Sequence, residues 1–235
     1  MQKMRTLLLN TALLAAVLLL TACAGAHDPL EPLNRGIYRF NDVVDKAVVK
    51  PVAKGYNAVM PPFGMTMVSN FFSNLDDVVV FANDLLQFKF AQGLSDGTRF
   101  MVNSTLGVFG LFDIASSGGL IKHNEDFGQT LGKWGVGNGP YIVLPILGPS
   151  TLRDGVGLYA DSYASPTYQL EHMRTRNQAF LVKGVNRRAE LLDQEKVLNE
   201  AMLDPYQFRR DTYLIYRKSL VHDGDPPRIR YDDEE

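Results

Sequence analysis

Apolar residues recur every three or four positions along several stretches of this chain, which is the spacing of helices with one apolar face. The first stretch, about 34–56, predicts an amphipathic helix with Asn34 as its N-cap, kinked or divided at Pro51. Its recurring apolar positions are Ile37, Phe40, Val44, Val48 and Val52.

A second helix is predicted from about Ser69 to Phe90, and it is apolar on nearly every side. Such a helix must be buried in protein or in lipid. The run of three valines at 78–80 is also compatible with a buried strand, but the length and the interspersed Asp and Asn pairs favour a helix. A third helix is predicted from about Ser95 to Leu106, with Ser95 or Asp96 as its cap.

Three further helices are predicted in the second half of the chain. Ser150 or Thr151 caps a short helix to about Tyr163, and Pro166 begins a turn. A long helix follows over 176–202, and Asp204-Pro205 opens a last one to about Leu220. The residues expected to face inward from the long helix are Leu181, Val185, Leu192 and Leu198.

Charge is distributed unevenly along these elements. The 98 residues from Gly55 to Leu152 contain 11 Asp, Glu, Lys or Arg, whereas the 83 residues from Arg153 to Glu235 contain 28. Charge-free windows at 55–75 and 134–152 are long enough to span a bilayer, but prolines and glycines interrupt both. The middle of the chain is therefore either the core of a soluble domain or a segment that lies partly in lipid, without a simple spanning helix.

The amino terminus has the pattern of a bacterial lipoprotein signal. Lys3 and Arg5 precede a short apolar run that ends in Leu-Thr-Ala before Cys23, the single cysteine of the chain. Cleavage before Cys23 makes its thiol an acylation site, although an ordinary cleaved signal with an incidental cysteine gives the same pattern. The predicted organisation is a signal peptide at 1–22, one domain at 23–220 and a disordered acidic tail at 221–235. Removal of the signal shifts the formal net charge from −2 to −4, which does not suggest a nucleic-acid partner.

Motifs for catalysis or cofactor binding are missing from the sequence. It contains no Gly-x-Ser-x-Gly elbow, no phosphate-binding P-loop and no His-Glu-x-x-His. His123 and Glu125 match half of a zinc deaminase signature, but the paired cysteines are absent. The sequence therefore predicts a non-enzyme without cofactor or metal, although a site assembled from distant residues has no sequence signature.

Many short blocks, in order, resemble the MlaA family of lipoproteins, also called VacJ. The resemblance runs from about Asp28 to Tyr206. Its blocks are Asp-Pro-Leu-Glu at 28–31, Lys-Pro-Val-Ala at 50–53, Ser-Asn-Phe-Phe-Ser-Asn-Leu at 69–75, Asn-Ser-Thr-Leu-Gly at 103–107, Phe-Gly-Gln-Thr-Leu-Gly-Lys-Trp-Gly at 127–135 and Asp-Pro-Tyr at 204–206.

The resemblance implies an all-α, ring-like lipoprotein embedded in one leaflet of the outer membrane of a Gram-negative bacterium, around a central amphipathic channel. Proteins of this family are similar in removing mislocalised phospholipids from the outer leaflet and so maintaining lipid asymmetry. The implied partners are a trimeric porin and a periplasmic lipid-carrier protein that feeds an inner-membrane ABC transporter.

Candidate site residues follow from this picture, each with a structural alternative. Arg99 and Lys133 are candidates for attracting lipid phosphate, or are ion-paired. Phe40 and Asn41 are candidates for gating or positioning the ring. The candidate lipid-path residues, which otherwise pack or cap, are Asn70, Phe71, Phe72, Asn103, Ser104 and Thr105.

Two other classes of function remain compatible with the sequence. One is a lipid-anchored phospholipid hydrolase of the envelope, which would release free fatty acid. The other is a structural lipoprotein, which would carry no lipid beyond its anchor.

Overall fold

The computed structural model describes residues 28–195 and 203–227. The predicted signal peptide, Cys23, the end of the predicted long helix and residues 228–235 of the predicted tail lie outside this part of the chain.

The described chain is mostly helical, as the sequence predicts, with one short β-hairpin. A π-helical turn, Asp45–Val49, joins the first two helices. The helices and strands are α1 (Glu31–Val44), α2 (Lys50–Val59), α3 (Pro62–Leu86), α4 (Phe90–Thr105), α5 (Ile114–Ser117), α6 (Phe127–Lys133), β1 (Tyr141–Leu144), β2 (Gly148–Thr151), α7 (Leu152–Ala164), α8 (Met173–Glu190) and α9 (Pro205–Val221).

Two predicted helix caps are wrong because the polar residues concerned lie within a helix and face the interior of the protein. Asn34 lies in the first turn of α1 after the N-cap Leu30, and it is buried. Asp96 lies in the middle of α4, fully buried, and Ser95 lies beside it within the same helix. By contrast, Thr151 caps α7 and Asp204 caps α9 as expected, each accepting a backbone amide hydrogen bond.

The sequence predicts a kink or division at Pro51, and the structure has a π-helical turn just before this residue. Proline lacks the amide hydrogen that an α-helix needs four residues after a carbonyl, and a wider turn accommodates that loss. The chain therefore continues as one interrupted rod from Glu31 to Val59.

Helices α3 and α4 pack against each other as an antiparallel pair, and the contact between them is polar. The second predicted helix is thus confirmed as a helix, including its valine run, but its buried positions are mainly polar. Asp77 and Asp84 of α3 and Asp96 and Arg99 of α4 are almost completely buried. Burial and a hydrogen bond with Asp96 raise the pKa of Asp84 to about 7, so the Asp84 carboxyl is partly protonated near neutral pH.

This distribution of polarity holds across the described residues. Of those that are buried, 8 are hydrophobic and 19 are polar or charged. Large apolar side chains instead lie on the surface, including Phe40, Val59, Phe63 and Leu94. Many large apolar side chains are exposed in this way, and exposed apolar patches mark an interaction with a membrane, a ligand or another protein.

Three tight turns place a bulky apolar residue at positive φ, where glycine or asparagine is normally found. Phe88 has φ 62°, Phe109 has φ 58° and Ile146 has φ 68°. All three side chains are exposed, by 74%, 75% and 75% respectively. The backbone is therefore in a strained conformation at these three positions, each of which exposes an apolar side chain.

The fifth predicted helix, 176–202, begins three residues earlier than the sequence indicates and is interrupted by a turn at Leu191, after which residues 192–195 are again helical. Helix α8 ends at Glu190, and Leu191 forms a turn. Leu181, expected to face inward, is largely exposed, and the buried residues of α8 are Asn186 and Ala189. Of the other residues expected to face inward, Val185 and Leu192 are half-buried, and Leu198 lies outside the described residues.

Ion pairs connect α9, at the end of the domain, with α6 and α7 from the middle of the chain. Arg217 of α9 donates to Asp126, the N-cap of α6, at 2.8 Å and to Asp154 of α7 at 3.0 Å. Arg153 also donates to Asp154, at 2.8 Å. Burial alone would raise the pKa of Asp126 and Asp154, but the guanidinium groups outweigh it and lower both values.

The antiparallel hairpin of β1 and β2 was not predicted. Tyr141 pairs with Thr151 and Leu144 with Gly148 across it. Two strands of four residues are too short to be stable alone, and this hairpin is held by helices on both sides. None of the helices within the described ranges is long and apolar enough to cross a membrane.

Candidate functional site

A cavity of about 720 Å³ lies between α1, the hairpin, the carboxyl end of α8 and α9. These elements come from sequence positions as distant as 38 and 216. Its lining residues include Tyr38, Asn41, Asp42, Asp45, Tyr141, Val143, Arg187, Arg188, Glu195, Phe208, Arg209, Thr212, Tyr213 and Tyr216.

One wall of this cavity is charged. Arg188 donates through Nε and Nη2 to the two carboxylate oxygens of Asp45, both at 2.8 Å, and through Nη2 to Glu195 at 2.7 Å. Lys50 donates to the other oxygen of Glu195 at 2.8 Å. Burial opposes ionisation of Glu195, but the bonds from Lys50 and Arg188 lower its pKa to about 2, so this cluster is ionised at neutral pH.

Two further cations lie at the cavity with fewer constraints. Arg187 is exposed and reaches Glu190 at 3.3 Å. The guanidinium of Arg209 lies 5.6 Å from the centre of the Tyr38 ring, and it pairs with no carboxylate of the described residues. These two arginines have capacity for an incoming anion, whereas Arg188 is already saturated by two acids.

Residues of β1 and α9 form an aromatic wall of the cavity. Tyr141 of β1 contacts Tyr213 of α9 edge to face, with ring centres 6.2 Å apart. Burial raises the pKa of Tyr141 to about 12, so its hydroxyl stays protonated at neutral pH. Val143 and Phe208 extend this surface. The cavity therefore presents both charged side chains and apolar area.

Phe40 and Asn41 separate this cavity from an apolar groove on the outer side of α1. The groove, about 490 Å³, is lined by Phe40, Ile37 and Pro145 among others. Asn41 faces the cavity and holds the hairpin tip, donating to the Leu144 carbonyl at 2.9 Å and accepting from the Ile146 amide at 2.8 Å. These adjacent residues thus contact two chemically different spaces.

The six candidate lipid-path residues lie elsewhere and line neither space. Asn70 donates to the Leu111 carbonyl at 3.2 Å, and Phe72 is buried with its ring edge to face against Phe71. Asn103 and Ser104 are tied to Asp113 and Asn74 respectively, at 3.0 and 2.8 Å. Thr105 lies on the exposed side of α4, where its hydroxyl donates to the Met101 carbonyl at 2.7 Å. These contacts are those of helix packing around α3 and α4.

The two candidate phosphate-attracting cations are also engaged within the protein. Arg99 is buried, and its guanidinium donates to Ser116, the Leu120 carbonyl and Asp113. Hydrogen bonds to Asp113 from Ser116, Asn103 and Arg99 outweigh burial and lower the pKa of Asp113 to about 2. The geometry therefore favours a structural role for Arg99. Lys133 is half exposed and pairs with Asp223 at 2.7 Å.

His123 and Glu125 have different hydrogen-bond partners. The Nδ1 atom of His123 lies 2.8 Å from Asp96, while Glu125 accepts from Lys89 and Gln87. Within residues 28–195 and 203–227, no group of three or more His, Cys, Asp or Glu side chains is arranged to hold a metal ion.

An apolar exterior, a polar interior and a cavity with one charged and one aromatic wall define a helical protein suited to amphipathic molecules. Comparison with known families agrees with this class: the MlaA lipoprotein family matches residues 26–220, and the chain belongs to that family. The resemblance found in the sequence is thereby confirmed.

Individual relatives are similar over nearly their whole length. An Escherichia coli protein named intermembrane phospholipid transport system lipoprotein MlaA is 35% identical over 226 residues, covering 92% of this chain and 89% of its own. A Haemophilus influenzae protein of the same name is 33% identical, with coverages of 94% and 93%. An uncharacterised Rickettsia bellii protein is 34% identical, with coverages of 86% and 80%.

One solved structure has the same fold. It was determined in work on the structural basis for maintenance of bacterial outer membrane lipid asymmetry. It superposes with a TM-score of 0.74 at 34% identity, covering 83% of this chain and all of its own.

Proposed function

We propose that this protein removes mislocalised phospholipids from the outer leaflet of the outer membrane and passes them towards the periplasm, which maintains lipid asymmetry. The observation that carries this proposal is the cavity with a charged and an aromatic wall in a protein that exposes many large apolar side chains. The names of the Escherichia coli and Haemophilus influenzae relatives support it.

The two walls match the two parts of a phospholipid. Its phosphate would lie near Arg187 and Arg209, and its acyl chains would contact Tyr213, Phe208 and Val143. Moving a charged head through hydrocarbon without polar partners costs many kcal/mol, and a polar wall lowers that cost. A volume of about 720 Å³ falls within the usual range of ligand sites, roughly 300–1,000 Å³.

Lipid anchoring and the apolar exterior would together seat the domain in the membrane. Acylation at Cys23 would attach the mature chain on the periplasmic side of the outer membrane, only five positions before Asp28, the first described residue. Each square ångström of apolar surface moved from water into lipid contributes about 25 cal/mol. Exposed residues such as Phe88, Phe109 and Ile146 would supply part of that area.

Transfer in this scheme needs partners and no covalent step in this protein. The partners that we propose are a trimeric porin in the outer membrane and a periplasmic lipid carrier that feeds an inner-membrane ABC transporter. The sequence has no nucleotide-binding motif, so any energy input would come from such a transporter. Co-purification of a porin trimer and of a soluble lipid carrier with the detergent-solubilised protein tests this part.

Filling the cavity provides the direct test of the proposed passage. Thr212→Phe places a ring in the cavity from α9, while Thr105→Phe adds the same bulk on the exposed side of α4. We expect Thr212→Phe to reduce phospholipid transfer from proteoliposomes to a soluble acceptor about tenfold or more, and Thr105→Phe to transfer normally. Normal transfer by Thr212→Phe, or an equal loss in both variants, would refute a passage through this cavity.

The same assay distinguishes the two rival functions. A hydrolase would release free fatty acid from the donor vesicles, and a purely structural lipoprotein would co-purify without phospholipid beyond its anchor. Mass spectrometry of the purified protein and of the transfer mixture measures both. We expect intact phospholipid in each sample.

A further inference from the structure

Two lysines from different elements meet at a corner of the molecule remote from the cavity. Lys89 lies in the turn between α3 and α4, and Lys133 is the last residue of α6. Both ammonium groups contact the carboxylate of Asp223, just after α9, Lys133 at 2.7 Å. One carboxylate thus accepts from two cations, each through a different oxygen.

The charges at this corner balance only while Asp223 stays in place. Lys89 also pairs with Glu125, at 2.8 Å, so two cations face two anions. If Asp223 moves away, one positive charge is left without a partner between Lys89 and Lys133. A phosphodiester has two anionic oxygens and a single negative charge, so it can replace the carboxylate with the same charge and a similar spacing of oxygens.

Exposed aromatic side chains surround the two lysines. Trp134 follows Lys133 and donates through its indole Nε1 to the Leu86 carbonyl at 3.2 Å, which ties it to the end of α3. Phe88 and Phe90 flank Lys89, with ring centres 6.2 Å apart, and all three aromatic side chains are more than half exposed. Tryptophan with nearby lysine is typical of surfaces that meet lipid headgroups.

We propose that Lys89 and Lys133 form a binding site for the phosphate of a phospholipid headgroup, and that Asp223 closes this site when no lipid is bound. The aromatic side chains would contact the glycerol and upper acyl region of the same lipid. Asp223 has a positive φ of 53° just after the end of α9, where the left-handed conformation is common. None of the residues that line the cavity belongs to this site, so the proposal goes beyond the transfer function and fails separately from it.

The single tryptophan of the chain, Trp134, provides the measurement. Full-length protein in detergent would be titrated with a short-chain phosphatidylglycerol while Trp134 fluorescence is recorded. We expect Asp223→Asn to bind this lipid about two- to fivefold more tightly than the unmodified protein, because it no longer competes for the lysines. Lys133→Ala should lose the response, and Lys133→Arg should keep it.

Matched controls separate this site from general charge effects and from the cavity. Asp225→Asn and Lys218→Ala change exposed charges nearby and should leave the titration unchanged. Thr212→Phe should bind normally in this assay, even where it abolishes transfer. Equal affinity of Asp223→Asn and unmodified protein, or an equal gain in Asp225→Asn, would overturn the proposal. A parallel titration with inorganic phosphate tests whether the site binds free anions instead. Saturation of the Trp134 response by phosphate, without any response to the lipid, would also overturn the proposal.

Discussion

Asn34 holds strand β1 at Tyr141: its side-chain amide donates to the Tyr141 carbonyl at 2.9 Å from within the first turn of α1. The side-chain oxygen of Asn34, Oδ1, accepts a hydrogen bond from the Val143 amide at 2.9 Å. The same Nδ2 also reaches the carboxylate of Asp28, which in turn accepts from the Tyr206 hydroxyl. One buried amide therefore connects the start of the domain with the hairpin and α9, which form the aromatic wall of the cavity.

Replacement of Asn34 by Ala should destabilise the protein by about 2–4 kcal/mol. The change leaves a buried carbonyl and a buried amide of β1 without partners, at about 1–3 kcal/mol each, partly relieved by water. Chemical unfolding in detergent measures the loss. Asn57→Ala, an exposed change on α2, is the control and should stay within about 0.5 kcal/mol of the unmodified protein. Equal stability of the two variants would contradict the role of Asn34.

Gly157→Ala tests the close contact of α6 and α7. A Cβ atom at Gly157 would lie 2.3 Å from the backbone nitrogen of Gly128, and neither backbone can move without disturbing the buried ion pairs beside it. We expect a loss of about 1–3 kcal/mol in unfolding free energy from overpacking. Gly184→Ala, in open space on α8, should instead be neutral or stabilising by up to about 1 kcal/mol.

The acid pair of Asp84 and Asp96 predicts a stability that falls as pH rises. Burial, with the bond to Asp96, raises the pKa of Asp84 to about 7 from an unfolded value of 3.8, so the folded protein binds more protons between these values. Stability is then fully present below about pH 4 and is lost towards pH 7. The melting temperature should therefore decrease by several degrees between pH 5 and pH 8.

Asp84→Asn is the variant that checks this assignment. Its neutral amide does not titrate, so the melting temperature should depend much less on pH over the same interval. The exposed change Asp193→Asn should keep the dependence of the unmodified protein. An unaltered pH profile in Asp84→Asn would assign the dependence to another group.

The strained turn at Phe109 predicts opposite effects on folding and on membrane association. Asparagine tolerates positive φ, so Phe109→Asn should raise unfolding free energy in detergent by about 1 kcal/mol. Loss of the exposed ring should weaken vesicle binding by about 1.5–3 kcal/mol. Leu94→Asn, exposed on regular helix α4, should weaken vesicle binding without the gain in stability. Unchanged vesicle binding by both variants would exclude lipid contact at these positions.

The sequence correctly predicted the helix boundaries that depend on hydrogen bonds between neighbouring residues. Thr151 and Asp204 cap helices because their side chains reach amides two or three residues ahead, which a sequence can display. Asn34 and Asp96 have the same side-chain chemistry but bond to partners distant in sequence. Nothing in the neighbouring residues separates these two uses of a polar side chain.

For a related reason, the sequence could not predict the cavity or which face of each helix points towards the interior. Periodicity identifies an apolar face, but it does not say whether that face points inward, and Leu181 was placed inside although it lies outside. The cavity joins Tyr38 and Asn41 to residues about 100 to 178 positions later, with no shared motif. The uneven distribution of charge, in contrast, did indicate an unusual environment for the middle of the chain.

The polar interior and apolar exterior reverse the usual guide to which substitutions a protein tolerates. In most domains an apolar-to-polar change is harmful inside and harmless outside. Here a polar substitution at an outward leucine or phenylalanine should spare the fold while impairing attachment, and an isosteric loss of hydrogen bonding at an inward asparagine or aspartate should unfold it. The effect of a substitution in this protein is therefore better predicted from the bonds that the side chain makes than from how deeply the side chain is buried.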